Sequence, residues 1–297
     1  QKTGDFNGAQ NNYRTAIQSY LESINSYFPS LSEEEKSAFY AKIKPVFEAY
    51  QDFAVEFVFH KRGDQLVMNQ MLADLYDLQL QTKALLLNAS NKIRNAIMNS
   101  GDAALIAKFN EWQAAKEELV KSLNLSNDEL KRNNISIATM QANTNSLEKE
   151  ISKMSTAFAG EYDQQTISWV DVQSKISEKE KAIEILRIKK NTKNDSIYYA
   201  ALVLSGTPGT FPELVVIEDG INMELKYFKQ YKNMIVYKIE NPRSYGQFWK
   251  PIDELLKDTK RIYLSSDGVY NKININTLYD PDKKEYVFDK YAIDLLS

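Results

Sequence analysis

Five apolar residues in a row, Ala200 to Leu204, sit inside the segment SIYYAALVLSG (196–206). A strand with apolar side chains on both faces needs cover on both faces, so this run demands a sheet with layers above and below it. Val215 to Ile217, in PELVVIED (212–219), makes the same demand. KAIEILRIK (181–189), RIYL (261–264) and YAIDLL (291–296) read as further strands, and 221–233 and 242–258 carry helical patterning. Strands alternating with helices point to an α/β sandwich beyond residue 160, rather than to a sheet with one wet face.

The first half of the chain reads as helix throughout. Ser32 with Glu35 forms a capping box that opens a helix, and Pro45 inside it predicts a kink. A second helical run covers 65–99, with Leu72, Leu75, Leu85, Leu86, Ile93 and Ile97 apolar, and Ser100-Gly101-Asp102 ends it. Leu105, Phe109, Trp112, Leu119 and Leu123 follow heptad-like spacing, with Lys116 the exception. After a second capping box, Ser126 with Glu129, the spacing resumes at Ile137, Met140, Thr144, Leu147, Ile151, Met154 and Phe158. Two such helices around a capped turn predict a long antiparallel hairpin, either a structural arm or a docking arm. Gly4, Phe6, Ala9, Tyr13 and Ala16 resemble the second half of a tetratricopeptide repeat, whose partner helix would precede Gln1.

Composition excludes several chemistries. The chain has no cysteine and one histidine, so it contains no disulfide, no Cys-based zinc site and no thiol nucleophile. His60 lies in EFVFHKRGD, where a helix ends, and is read as a helix-end residue. The net charge of −3 argues against a nucleic-acid partner, and no apolar run is long enough for a membrane span. Glu33-Glu34-Glu35, Glu117-Glu118 and Asp280/Asp282 are read as solvated helix faces, caps or turns. SGTPGTFPEL lacks the Lys-Ser/Thr of a phosphate loop, and RIKKNTKN (187–194) is read as a polar connection between strands. Ser265-Ser266-Asp267-Gly268 has no strand–nucleophile–helix elbow around it, so Asp267-Gly268 is read as turn chemistry. No catalytic, cofactor-binding or metal-ligating residue is assigned, and no cofactor.

Three segments together resemble the CHAT family, caspase-like peptidase domains found behind tetratricopeptide repeats in bacteria. They are LLLNASNKIRNAIMNSGDAALIAKFNEWQAAKEELVKSL with the second hairpin arm, ISWVDVQSKISEKEKAIEILRI, and RIYLSSDGVYNKININTLYD followed by YAIDLLS. The resemblance implies a partial repeat over 1–28, a helical linker and hairpin over 29–160, and the first part of a caspase-like domain over 161–297. It implies a cysteine endopeptidase whose His and Cys follow later strands, beyond Ser297, so neither carries over to a residue here. The strand ends at 205–210 and 265–272 would contribute to a specificity-pocket wall. The partner implied is a protein, as substrate or as the signal sensed by the repeats. A helical-repeat scaffold with a degenerate caspase-like part is the alternative. Compartment and oligomeric state are left open. Residues 160–297 alone are expected to aggregate, and 30–160 to be soluble and helical.

Overall fold

The computed structural model describes residues 6–28, 31–83, 94–95, 97–159, 167–190, 196–239 and 241–296. They form two compact units. One comprises 1–47 with 84–165, and the other 48–83 with 166–297. The helical linker of the sequence reading, 29–160, is thereby shared between both.

The first unit is helical. It holds α1 (Phe6–Tyr27), the start of α2 (Glu33–Phe59), α4 (Ala103–Leu123), α5 (Asn127–Arg132) and α6 (Ile137–Ala159). Ser32 caps α2 as expected, its Oγ accepting from Glu35 N–H while Glu35 accepts from Ser32 N–H. The helix runs on through Pro45. Ile17, Ile24, Phe28, Ile43 and Phe47 are buried, and Tyr20 meets Phe47 edge-on at 6.4 Å. In the hairpin, Ile97, Leu105, Phe109 and Ile151 make a buried cluster with Trp112 against it. Asp102 N-caps α4 after the left-handed Gly101 (φ 70°). The seam does not stay dry along its whole length, because Leu123 is 56% exposed and Met154 38%. The capped turn is longer than the sequence reading has it. α5 fills it, Asn134 (φ 53°) lies between α5 and α6, and Leu123 at the end of α4 is left exposed beside the turn.

The second unit is built on a five-stranded mixed sheet, ordered β3-β2-β1-β4-β7. The strands are β1 (Glu180–Lys189), β2 (Ile197–Ser205), β3 (Glu213–Ile217), β4 (Arg261–Ser265) and β7 (Ala292–Leu296). β1 pairs antiparallel with β2 and parallel with β4, and β4 pairs parallel with β7. An α plus α/β layout is therefore present. Ile183 and Ile185 of β1, Tyr199, Ala201 and Val203 of β2, and Ile262 and Leu264 of β4 share one face. The crossover from β3 to β4 lies on it: a turn (Gly220–Asn222), a π-turn (Met223–Tyr227), α8 (Phe228–Val236), α9 (Ser244–Phe248) and α10 (Lys250–Asp253). Met223, Tyr231, Phe248, Trp249 and Ile252 fill that layer. The chain from β4 to β7 covers the same face through 3-10 turns, a β5 (Tyr279–Asp280)/β6 (Glu285–Tyr286) hairpin and α11 (Val287–Lys290).

The opposite face carries Glu184, Tyr198 and Ser265, and these bond to the end of α2 and to α3 (Gln65–Thr82). Tyr198 O–H donates to Asp52 at 3.1 Å, and Lys83, directly after α3, reaches Glu184 and Ser265. α7 (Trp169–Gln173) joins this side, with Trp169 N–H donating to Asp77 at 2.6 Å. The doubly covered sheet demanded by Ala200–Leu204 is thus formed, and β2 is buried along nearly all its length.

Three expectations change. β3 is an edge strand, and only Ile217 of its apolar run is buried. The helix expected over 242–258 breaks at Trp249 (φ −128°), because Pro251 has no N–H to continue it. The run expected over 65–99 stops at Thr82, where Lys83 turns extended. Residues 84–93, with Leu85, Leu86 and Ile93, lie outside the described residues, as do Gly4 and residues 191–194 of the basic stretch 187–194, whose first three residues belong to β1 rather than to a connection.

Splitting the chain at 160 separates 48–83 from the sheet it covers. Both 160–297 and 30–160 then expose apolar surface, which revises the expectation that 30–160 alone is soluble. Light scattering should find both fragments associated. A monodisperse, cooperatively melting 160–297 would show that 48–83 is dispensable cover.

Candidate functional site

Parallel strands point their carboxyl ends the same way, and β4 ends opposite Glu184 while β1 runs on beside it to Lys189. There the chain leaves β4 through Ser266-Asp267-Gly268. Asp267 bridges the two strands, accepting Arg187 N–H (3.0 Å) on one oxygen and Gly268 N–H (2.7 Å) on the other. Gly268 starts a 3-10 turn (Gly268–Lys272) with φ 57°. A Cβ at Gly268 would lie 2.2 Å from the Tyr199 hydroxyl and 2.8 Å from Arg187 Cδ. The turn read from Asp267-Gly268 is therefore required by both dihedral and space.

Behind the turn, Tyr199 O–H donates to Glu224 Oε1 (2.7 Å) and its oxygen accepts Val269 N–H (2.8 Å). Arg187 grips the same carboxylate twice, Nε to Oε1 at 2.5 Å and Nη2 to Oε2 at 3.1 Å. The Arg187 guanidinium holds the Glu224 carboxyl below its usual range, against burial and with help from Tyr199. Burial pushes the Tyr199 phenol up. Glu224 therefore stays an anion and Tyr199 a neutral donor. The arrangement positions a strand-end turn. It offers no nucleophile and no group poised to take a proton near neutral pH.

Two further charged clusters lie in this unit. Lys83 Nζ sits 2.9 Å from Glu184 Oε2, 2.9 Å from Ser265 Oγ and 3.1 Å from the Ile185 carbonyl. A serine beside a lysine invites a nucleophile–base reading. Here Lys83 is ion-paired with Glu184 and donates to the Ile185 and Ser265 carbonyls, so it acts on Ser265 as a donor. Lys290 Nζ lies 2.8 Å from Asp280 and 3.3 Å from Asp253, all three side chains being under a tenth exposed. Tyr245 and Tyr291 donate to the two oxygens of Asp253. Burial raises the Asp280 carboxyl, but Lys290 and the Lys283 N–H outweigh it and leave the group below its usual value. This corrects the reading of Asp280 as a solvated turn residue. The β5–β6 hairpin folds it inward to meet Lys290, while Asp282 stays outside, 3.1 Å from Lys250.

The other acidic runs stand as read. Glu117 is exposed, Glu35 serves its cap and pairs with Lys149 at 2.8 Å, and Glu34 bonds Asn145. His60 is half exposed just past α2, with Nε2 3.1 Å from Glu56. No cluster of metal-ligating side chains occurs among the described residues.

The two strand ends expected to share a pocket wall do not meet. Ser205 pairs with Lys181 at the start of β1, whereas Asp267 binds Arg187 near its end, about 20 Å along the strand. β2 runs antiparallel to β1, so its carboxyl end falls on the opposite side of the sheet. There Gln173 fastens the loop, donating to the Ser205 and Thr210 carbonyls and accepting Gly209 N–H.

Comparison with known proteins finds no matching family model, no matching curated protein and no matching solved structure. Among the described residues, no helix is long and apolar enough to cross a membrane.

Gly268→Ala should lower unfolding stability by about 2 kcal/mol or more, from strain at positive φ and overlap with Tyr199. Urea denaturation measures this, and an unchanged midpoint would refute the close approach. A pH test concerns Asp77. Burial pushes its carboxyl up to about 6, opposed by the Trp169 N–H and aided by Asp74 and Asp171. Its unfolded value is about 3.9, so the folded state binds the extra proton between these values. The contribution to stability is present below about pH 4 and is lost as pH rises through about 6. Asp77→Asn keeps an acceptor for Trp169 N–H, so the variant should be at least as stable as the parent at pH 7. Its advantage should shrink as pH falls from 6 to 4 in parallel melts.

Proposed function

We propose that the sheet unit is the scaffold of a CHAT-family, caspase-like cysteine endopeptidase, with the helical unit serving regulation by a protein partner. The observation that carries the reading is β4. It lies parallel to the middle strand β1, between β1 and the edge strand β7, and runs into Ser265-Ser266-Asp267-Gly268. That is the strand-and-turn motif on which the family resemblance rests, and its turn is pinned to Arg187 of β1, three residues past the point where the β1–β4 ladder stops. Carboxyl ends of parallel strands are where open α/β sheets assemble their sites.

In this reading a cysteine thiolate attacks the peptide carbonyl. A histidine takes the thiol proton and returns one to the leaving amine, and backbone amides bind the oxyanion. None of those groups belongs to the residues described above. Their role is to hold the β4 turn in place through Asp267, Tyr199, Glu224 and Arg187. The lack of cysteine across 297 residues favours a second reading, a non-catalytic scaffold of the same architecture that binds proteins.

Reading the coding sequence after Ser297 separates the two. The expected result is a His-Gly after a strand and a Cys after the next, with Cys→Ala in the whole protein reducing peptide-bond cleavage to background. A stop codon, or a continuation without the pair, would remove the protease reading.

A further inference from the structure

The outer side of the crossover between β3 and β4 is basic and apolar together, in a chain whose net charge is −3. Residues 220–239 hold Lys226, Lys229, Lys232 and Lys238; the acids beside them are Glu224, which Arg187 already pairs, and, just ahead of the segment, Glu218 and Asp219, the latter accepting from Tyr227 and Asn222. All four lysines are exposed, and none has an ion-pair partner among the described residues. Met223 and Tyr231 point into the core. On the outside, Lys229, Lys232 and Val236 recur three and four apart along α8, over about 10 Å, and the exposed Ile221 and Leu225 precede them on the turn and π-turn. Leu225 is 69% exposed and Val236 62%; Ile235 in the last turn, and Tyr237 and Ile239 just past the helix end, are exposed as well.

We propose that this surface is a docking seam for an acidic amphipathic helix of a partner protein, with carboxylates opposite Lys229 and Lys232 and apolar residues opposite Leu225 and Val236. Helix-on-helix packing uses residues three and four apart, which is the spacing of Lys229, Lys232 and Val236. The two lysines lie in the middle of the seam, so an all-apolar partner would bury them unpaired and be rejected. That position also argues against a membrane surface. There the apolar residues would form one unbroken sector with the lysines at its flanks. The proposal stands apart from the proteolytic reading and does not depend on it.

The probe is a dye-labelled synthetic amphipathic helix whose seam reads Leu-Glu-Glu-Leu, titrated with the full chain and followed by anisotropy. Binding should weaken with salt. Lys229→Glu with Lys232→Glu should lower affinity at least about tenfold and create binding to the same peptide carrying Lys for Glu. Leu225→Ser should also weaken binding, and circular dichroism melts should match the parent for all variants. Absence of peptide binding, or binding unchanged by charge reversal, would overturn the proposal. Two occupancies without peptide binding would also overturn it: phosphatidylserine vesicles in co-sedimentation, and self-association lost in Leu225→Ser.

Discussion

β1 is paired with β2 along nearly its whole length and with β4 over its first half, and it is covered on both faces; much of the second unit is arranged around that strand. A strand so placed can be apolar throughout. Yet KAIEILRIK carries Glu184 and Arg187, one on each face. A buried or half-buried charge must find a partner or be neutralised, and each of these recruits one from a distant segment. Glu184 draws in Lys83 from the end of α3, and Arg187 draws in Glu224 from the crossover. The two charges thus tie each covering layer to the same strand.

This arrangement favours specificity over bulk stability. Replacing such pairs with apolar side chains is often neutral or better for stability, so their use here is to fix which segment packs where. Lys83 also touches Ser265 on β4, and Asp267 touches Arg187 on β1. The β1–β4 register is therefore marked by side chains as well as by the backbone ladder. Lys290 does the same for the return to β7, joining Asp280 of the hairpin to Asp253 of α10.

What the sequence disclosed follows from how local each cause is. β1, β2 and β4 were legible because strand length and apolar runs are set within a few residues. Both early capping boxes were legible because Ser and Glu sit three apart. Asp267-Gly268 was legible as a turn because only a residue tolerant of positive φ fits there. β3 was misjudged because burial on two faces depends on position in the sheet, and Val215 lies on an edge strand. Leu123 continues the heptad pattern yet is exposed, because a heptad pattern cannot report where the contact between two helices stops. The Arg187–Glu224 pair could not be read from spacing, since 37 residues separate the partners. The sequence does carry one signal of such pairing: Glu184 is the single carboxylate inside the strand run KAIEILRIK.

The antiparallel direction of β2 has the widest consequence for function. Had β2 been parallel to β1, the loop after Ser205 and the turn after Ser265 would lie together. Their separation means that a site at the end of β4 draws its walls from the 3-10 turn beyond Gly268, from Arg187 and from the start of the crossover at Glu224. The loop at 206–210, fastened by Gln173, belongs to the other side of the sheet. Chemistry at the β4 turn would therefore feel changes in the crossover directly, through the carboxylate shared by Arg187 and Tyr199. The crossover that presents lysines to solvent on its outer side thus holds, on its inner side, the residue that fixes the turn.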